Sequence, residues 1–217
     1  PSRCLRRFSK SSIFAVISLQ QLSEIYQDVL KDREFAIECE AFSIEVDSAI
    51  KKYGVFDHLT YGKIFAYEVD GFGNAVFMDD ANVPSLMSLA YLDTQMSSDP
   101  IYKNTRNFLL SDSNPYFLRG KYAEGQASPH TGKEKIWPMG IILRAMTSSD
   151  DNEIIKCLEA LKATHADTGF MHEAFHKDNP KDFNREWFAW ANTLFGELII
   201  KIHNERPDIL SNLINSG

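Results

Sequence analysis

Four segments of the chain carry more polar and aromatic detail than a core requires. They are MDDANVPSL (78–86), EGQASPHTG (124–132), TGFMHEAF (168–175) and REWFAWAN (185–192). Glu173 is the first candidate. It follows Thr168-Gly169-Phe170-Met171-His172 and precedes a tryptophan-rich segment. A carboxylate among aromatic residues suits a general base, because desolvation moves its proton affinity toward the working range. The competing reading is an ordinary loop glutamate. His172-Glu173-Ala174-Phe175-His176 also spells H-E-x-x-H. That pattern grips zinc only on a helix, where both histidines share a face. Gly169 before it and Asp178, Asn179 and Pro180 after it leave room for about two helical turns at most.

Asp79 and Asp80 form an acidic pair beside Asn82. Binding of sugar hydroxyls, capping of a helix near Val83, and cation ligation all compete for them. The cation reading lacks the D-x-D-x-D-G spacing of a calcium loop. His130, in Ser-Pro-His-Thr-Gly, reads as a hydrogen-bonding loop residue. Trp187 and Trp190 share a face if REWFAWAN is helical. They would then be either core or a platform for a sugar ring, with Arg185 and Asn192 as hydroxyl partners. Trp137 carries the same ambiguity. Glu186 and Glu197 are further carboxylates. No P-loop, dinucleotide fingerprint or nucleophile elbow occurs, so nucleotide-dependent and serine-hydrolase readings are poor.

These segments need elements to hold them, and the periodicity is mostly helical. Helices are expected over about 11–30, 33–53, 83–92, 99–110, 137–147, 151–165, 185–204 and 207–215. The first two should pack as an antiparallel hairpin. Residues 55–78 change character and read as a short β-hairpin near 60–78, around Asp70-Gly71 and Gly73-Asn74, or as a large ordered loop. Residues 114–135 and 166–184 read as long ordered loops. Helix pairs joined alternately by short turns and long loops suit an all-α toroid of helical hairpins with the loops on one rim.

Composition bounds the rest. The chain has 217 residues, 44% of them apolar, so a sizeable core is expected. A net charge of −7 argues against duplex nucleic acid as a partner. No stretch of about 18 apolar residues occurs, so no membrane span is expected. The start, PSRCLRRFSK, lacks the apolar run of a signal peptide, and the compartment stays open. Cys4, Cys39 and Cys157 form no C-x-x-C pair, and the latter two fall on apolar helix faces, where buried thiols are expected.

The stretches YGKIFAYEVDGFGNAVFMDDANVPSLMSLAYL, AEGQASPHTGKEKIWPMGIILRAMTS and THADTGFMHEAFHKDNPKDFNREWFAWANTLFGELI closely resemble glycoside hydrolase family 125, the metal-independent exo-α-1,6-mannosidases. The likeness runs from about Ser12 onward. It implies an (α/α)6 toroid, no cofactor or metal, and hydrolysis of terminal α-mannosides with inversion. Residues 1–217 would be the C-terminal portion of one catalytic domain, about half of the toroid. Carried over residue by residue, the resemblance makes Glu173 the general base, with Glu186 as runner-up and Glu197 third. Asp79, Asp80, Asn82, His130, Trp137, His172, Arg185 and Trp187 become candidate contacts to a mannose-containing oligosaccharide. The family's acid is an aspartate in a motif like F-R-P-S-D-D-A, just before a helix like that at Lys10–Ile17. Here Pro1-Ser2-Arg3-Cys4 stands in that place and no aspartate precedes Asp28. The expectation is therefore a chain that lacks its acid, is inactive by itself, and self-associates through exposed helix faces. The alternative is a non-catalytic mannan-binding protein.

Overall fold

The computed structural model describes residues 7–215. Cys4 lies outside them. The chain divides into two compact units, residues 1–78 with 84–109, and residues 79–83 with 110–217. Among the described residues no helix is long and apolar enough to cross a membrane.

The first unit is built on a helical hairpin. Strand β1 (Arg7–Phe8) leads into α1 (Ser9–Ile25), which widens into one π-helical turn at Tyr26–Leu30. Lys31 then adopts a left-handed φ of 60°, which ends the helix. Asp32 caps α2 (Arg33–Tyr53) by accepting a hydrogen bond from the Phe35 N–H at 3.1 Å. Both helices agree with their periodicity because the signal is local. Ile13, Val16 and Ile17 of α1 and Ala36, Cys39, Ser43 and Ile50 of α2 are buried. The Ser43 hydroxyl crosses the seam to the Val16 carbonyl.

The hairpin expected around Asp70–Asn74 forms, and a second antiparallel pair precedes it. Strands β2 (Val55–His58) and β3 (Gly62–Phe65) pair first. Strands β4 (Glu68–Val69) and β5 (Ala75–Val76) pair next, and β1 adds to β4. The second turn is organised by Asp70, which accepts from the N–H groups of Phe72 and Asn74. Those bonds, with the Asn74 side-chain amide first among them, hold its carboxyl below the usual range. The helix expected from Val83 starts only at Leu89: α3 spans Leu89–Leu92. Ser85 and Ser88 instead exchange bonds between backbone N–H and hydroxyl at 2.8 and 3.0 Å, fixing a turn there. A 3-10 turn at Thr94–Ser98 precedes α4 (Pro100–Leu109), where Asp99 receives the Ile101 and Tyr102 N–H groups.

In the second unit, both long loops of the sequence contain strands. β6 (Phe117–Arg119) pairs with β7 (Glu124–Gln126). β8 (Lys135–Ile136) is the edge of a sheet ordered β10-β9-β8. Helices α5 (Pro138–Met146) and α6 (Asp151–Thr164) follow β8. Strands β9 (Ala174–His176) and β10 (Asn179–Asn184) come next, then α7 (Ala189–Glu205) and α8 (Pro207–Asn215). The chain is thus helix-rich with small sheets, and the expected all-α class is corrected to that extent. Most of these strands are two or three residues long and leave no period to read, and the longer β10 is interrupted by an irregular register. Apart from Arg144, every residue of α5 is buried, so this helix is the core of the unit.

Two side-chain clips close the loop sheet. Lys135 donates to Asp182 and to the Asn184 side chain, each at 2.7 Å. Asp178 takes the Lys177 ammonium at 2.6 Å and the Lys121 N–H at 2.7 Å. These bonds hold the Asp178 and Asp182 carboxyls below their ordinary value of 3.8. A carboxyl lowered in the folded state stabilises fully above its unfolded value and stops doing so as pH falls through the folded one. The melting temperature should therefore fall more steeply below about pH 4 in the parent than in an Asp178→Asn, Asp182→Asn double variant. Parallel curves would show that the clips contribute nothing.

Candidate functional site

All the expected site residues lie in the second unit. Glu173 sits at the entry to β9. Its N–H donates to the Asn184 carbonyl at 3.1 Å. Its neighbours His172 and Ala174 are buried, while its own side chain keeps 17% exposure. The carboxylate is therefore half-shielded on a rigid strand end, with the Arg185 Nε 3.4 Å away.

Arg185 is placed by the backbone. It has φ 49°, the left-handed region, which costs a non-glycine residue about 1–2 kcal/mol. Two bonds flank it and hold that conformation. The Asn184 carbonyl accepts from Glu173, and the Glu186 carbonyl accepts from the His172 ring Nδ1 at 2.7 Å. The guanidinium also lies 5.7 Å from the Phe188 ring. The helix expected from Arg185 therefore begins only at Ala189. Tertiary bonds to residues 171–173 hold 184–188 out of it, overriding helical propensity. Trp187 and Trp190 consequently do not share a helix face, which corrects that expectation. Both remain exposed, at 57% and 53%.

His172 is 1% exposed and stacks flat on Phe183, with ring centroids 3.9 Å apart and planes 3° off parallel. A carbonyl partner assigns the proton to Nδ1, which leaves Nε2 as a buried acceptor with no hydrogen-bond partner. His176 lies on β9 beside Glu134 at 3.3 Å. HEAFH is thus extended, not helical. At roughly 3.3 Å per residue its two histidines stand too far apart to share one metal ion.

Asn192 does not reach outward. Its side-chain oxygen accepts from the Met171 N–H at 3.0 Å, and its amide donates to the Met171 and Phe188 carbonyls at 2.8 and 2.9 Å. It ties the start of α7 to the strand leading into Glu173, so its expected role as a hydroxyl partner is replaced by a supporting one. Asn192→Ala leaves the Met171 N–H unpaired, while the Met171 carbonyl keeps the Phe188 N–H, at a cost of about 1–3 kcal/mol. The expected result is a lower melting temperature with faster amide exchange at Met171 and Glu173. Unchanged exchange at both would overturn the supporting role.

The acidic pair is buried. Asp79 is inaccessible and Asp80 is 3% exposed. The Asp79 N–H donates to the Asn114 side chain, and Gln126 Nε2 donates to the Asp79 carboxylate, both at 3.2 Å. Asp80 accepts from the Asn82 N–H and side-chain amide at 3.4 and 3.0 Å. Neither aspartate caps a helix at Val83, because no helix starts there. Asn114 and Gln126 are pieces of this cluster that sequence reasoning missed. Gln126 lies between the buried Gly125 and Ala127, and its Oε1 is buried with no hydrogen-bond partner. A polar residue flanked by small ones in a strand was the available signal.

Trp137 is 4% exposed, donates its indole N–H to Thr131 at 2.6 Å, and meets Phe188 edge to face at 6.1 Å. It packs; it does not offer an open face. His130 is exposed and its N–H donates to Ser128 at 3.4 Å. Glu186 is exposed and contributes its carbonyl to His172. A cavity of about 330 Å³ lies among α6, α7 and α8, lined by Leu158, Lys162, Phe195 and Leu210, and touches none of these residues. The arrangement offers a positioned carboxylate, a neighbouring cation, exposed indoles and a separate buried acidic cluster. Such a set can orient hydroxyl groups and take a proton from water.

Comparison with known proteins agrees in kind. Residues 4–200 match the family described as metal-independent alpha-mannosidase (GH125). A Schizosaccharomyces pombe relative, the meiotically up-regulated gene 157 protein, is 42% identical over 207 residues, covering 95% of this chain and 40% of the relative. A solved Streptococcus pneumoniae structure, from a family of metal-independent alpha mannosidases and in a non-productive complex with alpha-1,6-mannobiose, superposes with a TM-score of 0.87. It is 39% identical, covering 92% of this chain and 47% of that one. The chain therefore spans less than half the length of either.

Proposed function

Because the chain belongs to the GH125 family of metal-independent α-mannosidases, we propose that it forms the base-bearing part of an inverting exo-α-1,6-mannosidase. The observation that carries this is Glu173, half-shielded at the end of β9 with Arg185 beside its carboxylate. Inversion requires two carboxyl groups roughly 6.5–9.5 Å apart, one protonating the leaving oxygen and one activating water. Glu173 takes the proton of the attacking water, while Arg185 fixes the rotamer that presents the carboxylate. The opposing acid comes from the part of the family's domain that this chain does not span, and the two together complete an (α/α)6 toroid.

Substrate contact is proposed for Trp187, whose exposed indole suits the apolar face of a sugar ring. Asn82 and His130 supply hydroxyl partners, the buried Asp79 and Asp80 hold the segment that carries Asn82, and His172 holds the base segment. The exposed Trp187 and Trp190 also favour a second reading, mannan binding without turnover. One experiment separates the two. The chain alone should release no mannose from α-1,6-mannobiose. The chain completed by the remainder of the fission yeast relative should release it with an inverted anomeric centre, read by proton NMR. Binding without release in the completed assembly would sink the hydrolase reading, and retained configuration would sink inversion.

A further inference from the structure

The cavity among α6, α7 and α8 lies within the second unit and is walled by three helices of this chain. Leu158 of α6, Phe195 and Ile199 of α7 and Leu210 of α8 form its apolar sides. Met171 joins them from the segment that leads to Glu173. Phe195, Ile199 and Leu210 stay half-buried, so the apolar sides are open to entry. Two polar side chains complete the lining, Lys162 and His165, both at the end of α6. No acidic side chain is among the described residues that line it.

Both polar groups keep a donor in hand. Lys162 is exposed and makes no ion pair among the described residues. His165 is fixed by its own loop. Its carbonyl accepts from the Thr168 N–H and hydroxyl at 3.0 and 2.7 Å, and its ring Nδ1 accepts from the Gly169 N–H at 3.2 Å. Ala166 and Asp167 take left-handed φ of 51° and 63° to close that loop, a conformation unfavourable to residues with a Cβ. With Nδ1 as acceptor the ring proton sits on Nε2. That nitrogen has no partner among the described residues.

A cavity of about 330 Å³, apolar apart from polar groups gathered in one place, has the make-up of a small-molecule site. The apolar sides call for a hydrocarbon. The ammonium and the imidazole N–H call for an anion at one end of it. At close to a water's share of volume per methylene, a chain of roughly eight to ten carbons fills the space. A lysine in the last turn also complements the α6 dipole. That role alone leaves the open apolar sides beside it unexplained.

We propose that the α6–α7–α8 cavity binds a single-chain alkyl carboxylate, its tail against Met171, Phe195 and Ile199 and its head between Lys162 and the His165 Nε2–H. The site is independent of the hydrolase reading and of the role of Glu173.

The test titrates decanoate, below its micelle concentration, into the 217-residue chain with carbon-13 in its methionine methyl groups. The Met171 methyl should shift and saturate, while that of Met87, buried in the other unit, should not. Lys162→Ala should raise the dissociation constant for decanoate about fivefold and leave that for decanol unchanged, because the tail contacts persist. This substitution is exposed, and melting curves check that the fold persists. Phe195→Trp, which fills the space, should weaken both ligands about tenfold. In the chain completed by the remainder of the fission yeast relative, the Met171 shift should persist. A silent Met171, shifts spread over all the methionines, or a Lys162→Ala variant that treats acid and alcohol alike would each overturn the proposal. So would a response that vanishes in the completed chain, because the remainder would then occupy the cavity. Mannose release plays no part in the readout, so failure here leaves the hydrolase reading untouched.

Discussion

In the completed assembly, Glu173→Gln is expected to lower kcat for α-1,6-mannobiose by about 10²–10⁴-fold with little change in KM. The amide keeps the shape of the side chain and can still meet Arg185, but it cannot take a proton from water. The backbone of residue 173 is held by the Asn184 carbonyl, and its neighbours are buried, so the substitution leaves the strand end in place. Glu186→Gln provides the comparison. That side chain is exposed, and only its backbone carbonyl engages His172. It should change kcat less than a few-fold. Equal losses in both variants would point to a general disturbance of the loop, and full activity of Glu173→Gln would remove it as the base. Arg185→Ala should fall between them, with Arg185→Lys recovering part of the loss, because a cation beside the carboxylate is restored without the guanidinium geometry.

The largest stability effect is expected at Arg144. It is the single residue of the core helix α5 that is not buried, and it spends its charge inside the unit. Its Nε donates to Glu153 of α6 at 2.7 Å and its Nη1 to Glu124 of β7 at 2.8 Å. Ser148 holds the second Glu153 oxygen at 2.6 Å. Burial pulls the guanidinium's proton affinity down, but the bonds to Glu153 and Glu124 outweigh it, and the net direction is up. Removing one partner of a buried pair strands the other charges, which typically costs about 3–5 kcal/mol. Arg144 and Glu153 retain 16% and 15% exposure and Glu124 retains 40%, so about 2–3 kcal/mol is the better expectation. For Arg144→Ala that corresponds to a fall in melting temperature of roughly 4–12 °C in a chain of 217 residues. Arg206→Ala, which breaks an exposed pair with Asp151, should shift it far less. Similar shifts for the two variants would show that the partly shielded Arg144–Glu153–Glu124 triad carries no special weight.

Helices were legible in the sequence wherever one face alternates with another over several turns. α2, α4, α6 and α8 fall within a residue of their expected bounds. The buried thiols Cys39 and Cys157 were legible for the same reason. The strands were not. β6 to β9 are two or three residues each, too short to show a period, and β8 pairs with β9 some forty residues away, so no local pattern announces that sheet. The Val83 helix failed because two serines satisfy each other's N–H groups in a turn instead.

The same division runs through Glu173. By itself the sequence determined that a glutamate stands among aromatic residues before a tryptophan-rich helix, and its motifs pointed to a family. It could not separate a base from a surface carboxylate, or either from a zinc motif. Only the tertiary structure decided that HEAFH is extended, that Asn192 supports rather than contacts, and that Arg185 sits left-handed facing Glu173. Those outcomes depend on hydrogen bonds between residues 11–21 apart in the chain, such as Glu173 to Asn184, His172 to Glu186 and Asn192 to Met171. Local propensity carries no information about such pairs. Their free energy exceeds the few tenths of a kcal/mol by which one residue prefers helix to loop.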